Sequence, residues 1–333
     1  MAVALQERIF ASERFDEALA LEVFRFQASA CEPYRRYIEL LGLNPFEVTD
    51  IKRIPYLPVE FFKTHRIWSA ASDLEPETVF TSSGTTGSET SRHYVASTAL
   101  YDEAFTRGFG HFYGLAEGWS IFALLPSYLE RTGSSLIWMV ERLQAKNRAC
   151  GGFYLYDHDK LTADLTAASQ KGEKILLIGV AFALLDYAEY LSNQGIELHL
   201  PSEAVVMETG GMKGRRREVS RETMHETLKR AFGVGAIHSE YGMTELLSQT
   251  YSTGEGLFRC PPWMRVSTRD LQSPLQPLAA GKMGGLNIID LANLYSCSFL
   301  AIQDRGIVYP DGSFRVLGRI EGAQLRGCNM LIE

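Results

Sequence analysis

Apolar positions fall into two regimes along the chain. From Leu5 to Leu41 they recur at helical spacing, as Leu19, Val23 and Phe26 and then Tyr34, Tyr37, Ile38 and Leu41, with Pro33 placed to open a second helix and Gly42 to close it. Ile54 to Lys63 sets two prolines among large apolar side chains and is expected as a rigid extended lead-in, not a helix centre. Further on, short apolar runs alternate with amphipathic ones. Strands are predicted at Val79-Phe80, Trp119–Pro126, Phe153–Tyr156, Lys174–Val180, Val205–Met207 and Val234–Ile237, and helices at Thr98–Phe109, Leu136–Leu143 and Ala181–Gln194. Strands alternating with helices in this way imply an α/β fold whose mostly parallel sheet is covered on both faces. After Leu257 the texture turns to short apolar pieces among Gly and Pro, read as a small antiparallel β sheet or barrel with a hairpin turn at Asp311-Gly312. The expected organisation is an N-terminal helical and extended segment (1–70), an α/β core (71–255) and a β-rich part of the same domain (256–333).

With 333 residues, 46% of them hydrophobic, the chain can bury a large core. A formal net charge of −7 argues against a nucleic-acid-binding surface, and the one dense basic run, Lys213 to Arg217, is diluted by Glu218 and Glu222 and reads as a solvated face. The five cysteines (Cys31, Cys150, Cys260, Cys297 and Cys328) are scattered without a CxxC pair, which suggests neither a disulfide framework nor a structural zinc site and fits a reducing compartment. No window approaches the roughly 18 apolar residues of a membrane span, and no export segment is visible, so a cytoplasmic protein is expected.

Three polar turns, at Thr81, Ser127 and Thr209, are expected beyond the carboxyl ends of strands, where open α/β sheets bind ligands. The first, Thr81-Ser82-Ser83-Gly84-Thr85-Thr86-Gly87-Ser88, contains little that a core could use. Its glycines can turn backbone N–H groups inward and its hydroxyls add neutral donors, a cradle for phosphate oxygens, although an ordinary polar turn has the same composition. It lacks the Gly-Lys-Ser/Thr ending of the common nucleotide loop. Two further constellations stand out: His238-Ser239-Glu240-Tyr241-Gly242-Met243-Thr244-Glu245, and Gln303-Asp304-Arg305-Gly306 with Gly318-Arg319.

In this order, with Thr209-Gly210-Gly211 between them, these stretches resemble the adenylate-forming superfamily of acyl-CoA synthetases, luciferases and adenylation domains. Leu57–Lys63, Leu125–Arg131, Gly133–Leu136 and Arg326-Gly327-Cys328 are similar to the acyl-protein synthetase, LuxE-type, family. The resemblance implies ATP-dependent activation of a carboxylic acid, plausibly fatty, as an acyl-adenylate with loss of pyrophosphate, followed by acyl transfer to a thiol. It implies that Thr81, Ser82, Ser83, Gly84, Thr85, Thr86 and Gly87 hold the departing phosphates, that Glu245 carries Mg²⁺ and that Thr244 contacts the α-phosphate. Gly210, Gly211 and Tyr241, with Gly242 and Met243 beside it, would line the nucleotide, and Asp304 with Arg319 would bind the ribose hydroxyls. Read without the resemblance, Glu245 is a helix-start carboxylate and Asp304 a turn residue. Tyr128 reads either as a gate to an acyl tunnel or as a core aromatic.

Two departures from the superfamily pattern stand out. Ser88 and Glu89 occupy the places of the usual Pro-Lys after the second loop glycine, which moves any phosphate-contacting cation elsewhere, with Arg92 as the candidate. The sequence ends at Glu333, so no C-terminal lid domain with its adenylation lysine is expected, and either adenylation proceeds without that lysine or a partner supplies it. Cys328, next to Arg326, is the expected acyl acceptor, against the alternative of an inert packed cysteine. A reductase or an acyl carrier protein is then the expected partner. The competing readings are a CoA ligase relative with a separate lid chain and a non-catalytic nucleotide-binding scaffold.

Overall fold

Asp16 opens the second helix by accepting the Leu19 backbone N–H at 2.9 Å, and the apolar stripe behind it (Leu19, Ala20, Val23, Phe24 and Ala28) is buried, as helical spacing demands. The computed structural model describes residues 2–82, 90–125, 133–147, 151–210 and 220–320. Among these residues the chain separates into two compact units. One takes in the chain up to Gly108, Gly242–Gln249 and the chain from Arg259, and the other takes in Phe109–Tyr241 and Thr250–Phe258.

The first unit begins with helices α1 (Ala2–Ile9), α2 (Glu17–Ala30) and α3 (Glu32–Leu40). Pro33 lies in the first turn of α3, where its missing N–H costs nothing, and Gly42 follows at φ +68°. The lead-in after it is extended only at β1 (Leu57–Pro58) and then closes into the single turn α4 (Phe61–Thr64). Strands β2 (Thr78–Thr81) and β3 (Arg92–Val95) form a two-stranded antiparallel sheet. This corrects the expectation at Thr81: the hydroxyl-rich stretch starts inside an antiparallel hairpin, not beyond a strand of the parallel sheet. The return strand is short and half polar, with Arg92 exposed and His93 and Val95 buried, so no apolar run announced it.

The β-rich part of this unit contains β10 (Met264–Arg269), β11 (Met283–Asp290), β12 (Phe299–Val308) and β13 (Phe314–Arg319). They build a five-stranded sheet in the order β1-β12-β11-β10, with β13 also paired to β12. The turn at Asp311-Gly312 is a tight hairpin connection in which the Tyr309 N–H donates to the Ser313 carbonyl at 2.8 Å and Gly312 sits at φ +80°. Pairing between β11 and β12 slips between Gly285 and Asn287. There the buried Arg269 guanidinium donates to the Leu286 and Ile302 carbonyls and to Asn287 Oδ1, taking over bonds that the ladder does not make.

The second unit is built on β4 (Trp119–Leu124), β5 (Gly152–Phe153), β6 (Lys174–Val180), β7 (Val205–Thr209), β8 (His238–Tyr241) and β9 (Thr250–Ser252), in the order β5-β4-β6-β7-β8-β9. All neighbours are parallel except β8 and β9. Helices α6 (Ser135–Ala145), α7 (His158–Gln170), α8 (Ala181–Gln194) and α9 (Arg221–Phe232) accompany it; α5 (Thr98–Tyr113) crosses the boundary between the units. Every residue of β4 is buried, as are all but Lys174 of β6, the signature of a sheet covered on both faces. The strand expected at Val234–Ile237 lies one step later, at His238–Tyr241. That polar segment pairs on both sides and is buried by its neighbours, while Val234 and Ile237 pack from the connection before it. At Phe153–Tyr156, pairing ends at Phe153 and Leu155 turns away with φ +50°.

Candidate functional site

In the first unit the segment Gly242–Gln249 has little regular structure, and side chains from elsewhere in the unit fix it. Asp290, fully buried at the end of β11, accepts the backbone N–H groups of Leu247 and Ser248, both at 2.9 Å, the Ser248 hydroxyl at 2.7 Å and the Ala292 N–H at 3.1 Å. Asn293 Nδ2 donates to the Glu245 carbonyl at 2.8 Å, and Trp263 Nε1 donates to the Ser248 hydroxyl at 2.8 Å. His93 on β3 meets the Thr244 carbonyl with Nδ1 at 2.8 Å and Ser296 Oγ with Nε2 at 3.1 Å. Burial lowers the His93 pKa to about 4, against the opposing pull of the Thr244 carbonyl and the Glu245 charge, so the ring is neutral at physiological pH. The result is a short loop with a buried carboxylate, Glu245, at 1% exposure, whose backbone is pinned at Thr244, Glu245, Leu247 and Ser248.

A further buried carboxylate of this unit, Asp304, lies on β12 opposite Arg319 of β13, with Arg319 Nε 3.5 Å from Asp304 Oδ1. Arg319 Nη1 also reaches Gln303 Oε1 at 3.3 Å, while the Gln303 amide donates to Glu60. A carboxylate only accepts and a guanidinium only donates, so the Gln303 side chain has one consistent orientation, amide toward Glu60 and carbonyl toward Arg319. Thr81 and Ser82 stand at the loop end of the β2–β3 hairpin, where the Ser82 N–H donates to the Ser91 carbonyl at 3.1 Å and Ser82 Oγ accepts the Ser91 N–H at 2.9 Å.

The second unit holds Gly210 and Tyr241. The register that pairs Thr209 with Glu240 sets them as the next residues at two neighbouring strand ends. Gly210 has φ +67°, a conformation that strains any residue with a Cβ, and Tyr241 is buried edge-on to Phe258 at 5.8 Å. Between them the Thr209 hydroxyl donates to the buried Glu240 carboxylate. Burial raises the Glu240 pKa to about 7; the Thr209 hydrogen bond opposes that rise and neighbouring Glu208 adds to it.

Thr81, Ser82, Gly242, Met243, Thr244, Glu245, Asp304 and Arg319 thus belong to the first unit, and Gly210 and Tyr241 to the second. Ser83, Gly84, Thr85, Thr86, Gly87, Tyr128, Gly211, Arg326 and Cys328 lie outside the described residues. Arg92 is exposed on β3. The residues that sequence reading missed are His93, Asp290 and Asn293. The one local signal for any of them was the Arg-His-Tyr-Val alternation that puts His93 on the buried face of a strand. Elsewhere in the first unit, a cleft of about 640 Å³ is lined largely by apolar side chains, among them Leu43, Ile54, Leu278 and Ile289, with Lys52 and Arg265 also on its wall.

The family model for "Acyl-protein synthetase, LuxE" matches residues 6–108 and 154–333. A long-chain-fatty-acid–luciferin-component ligase of Aliivibrio fischeri is 22% identical over 331 residues, covering 94% of this chain and 86% of that protein. The Photorhabdus luminescens protein of the same description is 35% identical over 75 residues, 22% of this chain and 63% of its own length. Among solved structures, an open conformation of 2-hydroxyisobutyryl-CoA ligase in complex with 2-HIB-AMP and CoA aligns with a TM-score of 0.66 at 16% identity, over 92% of this chain and 75% of that one. ATP-bound MatB from Rhodopseudomonas palustris aligns with a TM-score of 0.52 at 15% identity, over 72% of this chain and 47% of that one. At such identities the likeness establishes the fold, and the family match carries the rest: the chain belongs to the LuxE-type acyl-protein synthetases, acid–thiol ligases with the adenylate-forming fold.

Proposed function

We propose that this ligase activates a long-chain fatty acid as its acyl-adenylate at the expense of ATP and passes the acyl group to Cys328 as a thioester. The observation that carries the reading is the family match, because residues 6–108 and 154–333 include Thr81–Gly87, Gly210-Gly211, Tyr241–Glu245, Asp304, Arg319 and Cys328. In this reading Asp304 accepts the ribose hydroxyls, with Arg319 at its side. A buried carboxylate suits that task, since each hydroxyl bond to it is charge-assisted. Gly210 and Tyr241, followed by Gly242 and Met243, contact the adenine end of the nucleotide, and Thr244 the α-phosphate. The hydroxyls and glycines of Thr81–Gly87 hold the departing phosphates.

Glu245 is the residue for Mg²⁺. Among the described residues no group of three or more His, Cys, Asp or Glu side chains gathers into a cage. One buried carboxylate beside nucleotide oxygens is the donor set of an ion that keeps most of its water and phosphate ligands, as Mg²⁺ does. Bound there, the ion would supply charge neutralisation for the departing pyrophosphate. The protein's own part is to hold the nucleotide and the acid in line, so that charge developing in transfer meets fixed donors.

Pyrophosphate release screened across carboxylic acids tests the reading. Release that depends on a long-chain acid, ATP and a divalent ion, lost in Glu245→Gln, supports it; no acid-dependent release with any chain length refutes it. Adding CoA separates the variants of the chemistry, since a free CoA thioester formed by Cys328→Ser would make the chain a CoA ligase.

A further inference from the structure

We propose that His93 is a positioning residue for the Thr244-Glu245 pair, resting on the assignment of Glu245 to the metal and its nucleotide. It would act through one imidazole that joins strand β3 to the backbone of the Gly242–Gln249 segment. The ring is 1% exposed, packs edge-on against Phe62 at 5.4 Å and uses both nitrogens. A carbonyl oxygen can only accept, so the nitrogen 2.8 Å from the Thr244 carbonyl carries the proton, and the other takes the Ser296 hydroxyl at 3.1 Å. Ser296 is itself held in place, because the buried Ser69 hydroxyl shares its proton between the carbonyls of Leu294 and Ser296 at 2.9 and 2.8 Å. The imidazole is therefore a spacer of fixed length between the β11–β12 turn and Thr244.

Strand β3 supplies the other end. Its register pairs His93 with Phe80 and Arg92 with Thr81, so the residue that grips the Thr244 carbonyl is one step from the partner of the first loop residue. Thr244 and Glu245 are consecutive, and a shift at the Thr244 carbonyl is transmitted to the Glu245 carboxylate by a single residue of chain. Losing the Nδ1–H would also leave a part-buried carbonyl without this donor.

The test uses the full-length protein in three variants. His93→Asn keeps an N–H donor near the Nδ1 position, His93→Gln reaches toward the Nε2 position, and His93→Phe keeps the ring shape with neither. Calorimetric titration of ATP with and without Mg²⁺, and of AMP, reads the metal-dependent part of nucleotide affinity apart from turnover. The expected result is that His93→Phe and His93→Gln lose about tenfold of the Mg²⁺-dependent ATP affinity with AMP affinity unchanged, a factor of about 1.4 kcal/mol, and that His93→Asn recovers most of it. Equal affinities in all three variants, or equal losses in Asn and Phe, overturn the proposal. If Phe does not fold, the contrast of Asn with Gln decides in the same way. Glu245→Gln is the control for the underlying reading: should it retain the full Mg²⁺ dependence, the metal assignment fails independently of His93.

Discussion

Asp290 receives both the backbone N–H and the hydroxyl of Ser248, at 2.9 and 2.7 Å, from a fully buried position at the end of β11. Leu247 and Ala292 add two more N–H donors, so each carboxylate oxygen accepts two bonds. Asp290→Asn presents an NH₂ group to donors that have nowhere else to turn. The expected loss is about 2–4 kcal/mol, read as a lower urea midpoint at pH 8, above the Asp290 pKa, which burial pushes up to about 6. An unchanged midpoint would mean that the Gly242–Gln249 segment does not depend on this carboxylate.

Glu240 makes stability depend on pH in the direction opposite to most carboxylates. Its folded pKa is about 7 against an ordinary value of 4.5. Between those values the folded state keeps a proton that the unfolded chain has released, so stability falls as pH rises through the window and the loss is complete above it. For a shift of this size the loss is roughly 3 kcal/mol. Glu240→Gln still accepts the Thr209 hydroxyl and cannot ionise. Its urea midpoint should exceed the parent's at pH 8 and match it near pH 4, below the ordinary value of 4.5; equal pH slopes for the two proteins would contradict the burial argument.

Under the proposed reading, substitution of Cys328 should separate the two half-reactions. With ATP, Mg²⁺ and a long-chain acid, Cys328→Ser should release pyrophosphate in the first turnover as the parent does, yet show no hydroxylamine-sensitive acyl adduct by mass spectrometry. A thioester that persists in the variant places the acceptor on another residue.

Asp304 should discriminate the sugar. Hydrogen bonds to a charged group contribute about 1.5–3 kcal/mol, so Asp304→Asn should weaken AMP binding by roughly 10–100-fold. Removing both ribose hydroxyls from the ligand should cost the parent a similar factor and the variant little, the non-additivity expected when two changes delete one interaction. Additive losses would move the ribose away from Asp304.

The elements most legible in the sequence are those whose burial is uniform. Lys174–Val180 followed by Ala181–Gln194 appears in the structure with the bounds read from the chain, because a strand covered on both faces writes itself as an unbroken apolar run. The burial of the carboxylates Glu245 and Asp304 was not legible, because nothing in the local pattern separates a buried acid from a surface one. Their supports were not legible at all. His93 bonds to a carbonyl 151 positions away, and Asp290 to N–H groups 43 and 42 positions away, contacts that exist only once two sheets have formed. Strand β8 was misplaced for a related reason: its outward signal is polar, and its burial is conferred by β7 and β9.

Gln27 in α2 is fully buried and donates to the carbonyls of Asn293 and Leu294 at 2.9 Å, while its own carbonyl accepts the Ser298 N–H at 2.9 Å. The helix carrying it leaves the ribosome more than 260 residues before its partners. The parallel sheet, by contrast, draws all its strands from the continuous stretch Trp119–Ser252. Synthesis at a few residues per second therefore leaves the amino-terminal helices waiting tens of seconds for the strands that cover them, whereas the middle of the chain can mature in order of emergence. Chaperone demand during translation should fall on the earliest helices, and truncations that stop before Phe299 should expose the Gln27 face and bind holdases.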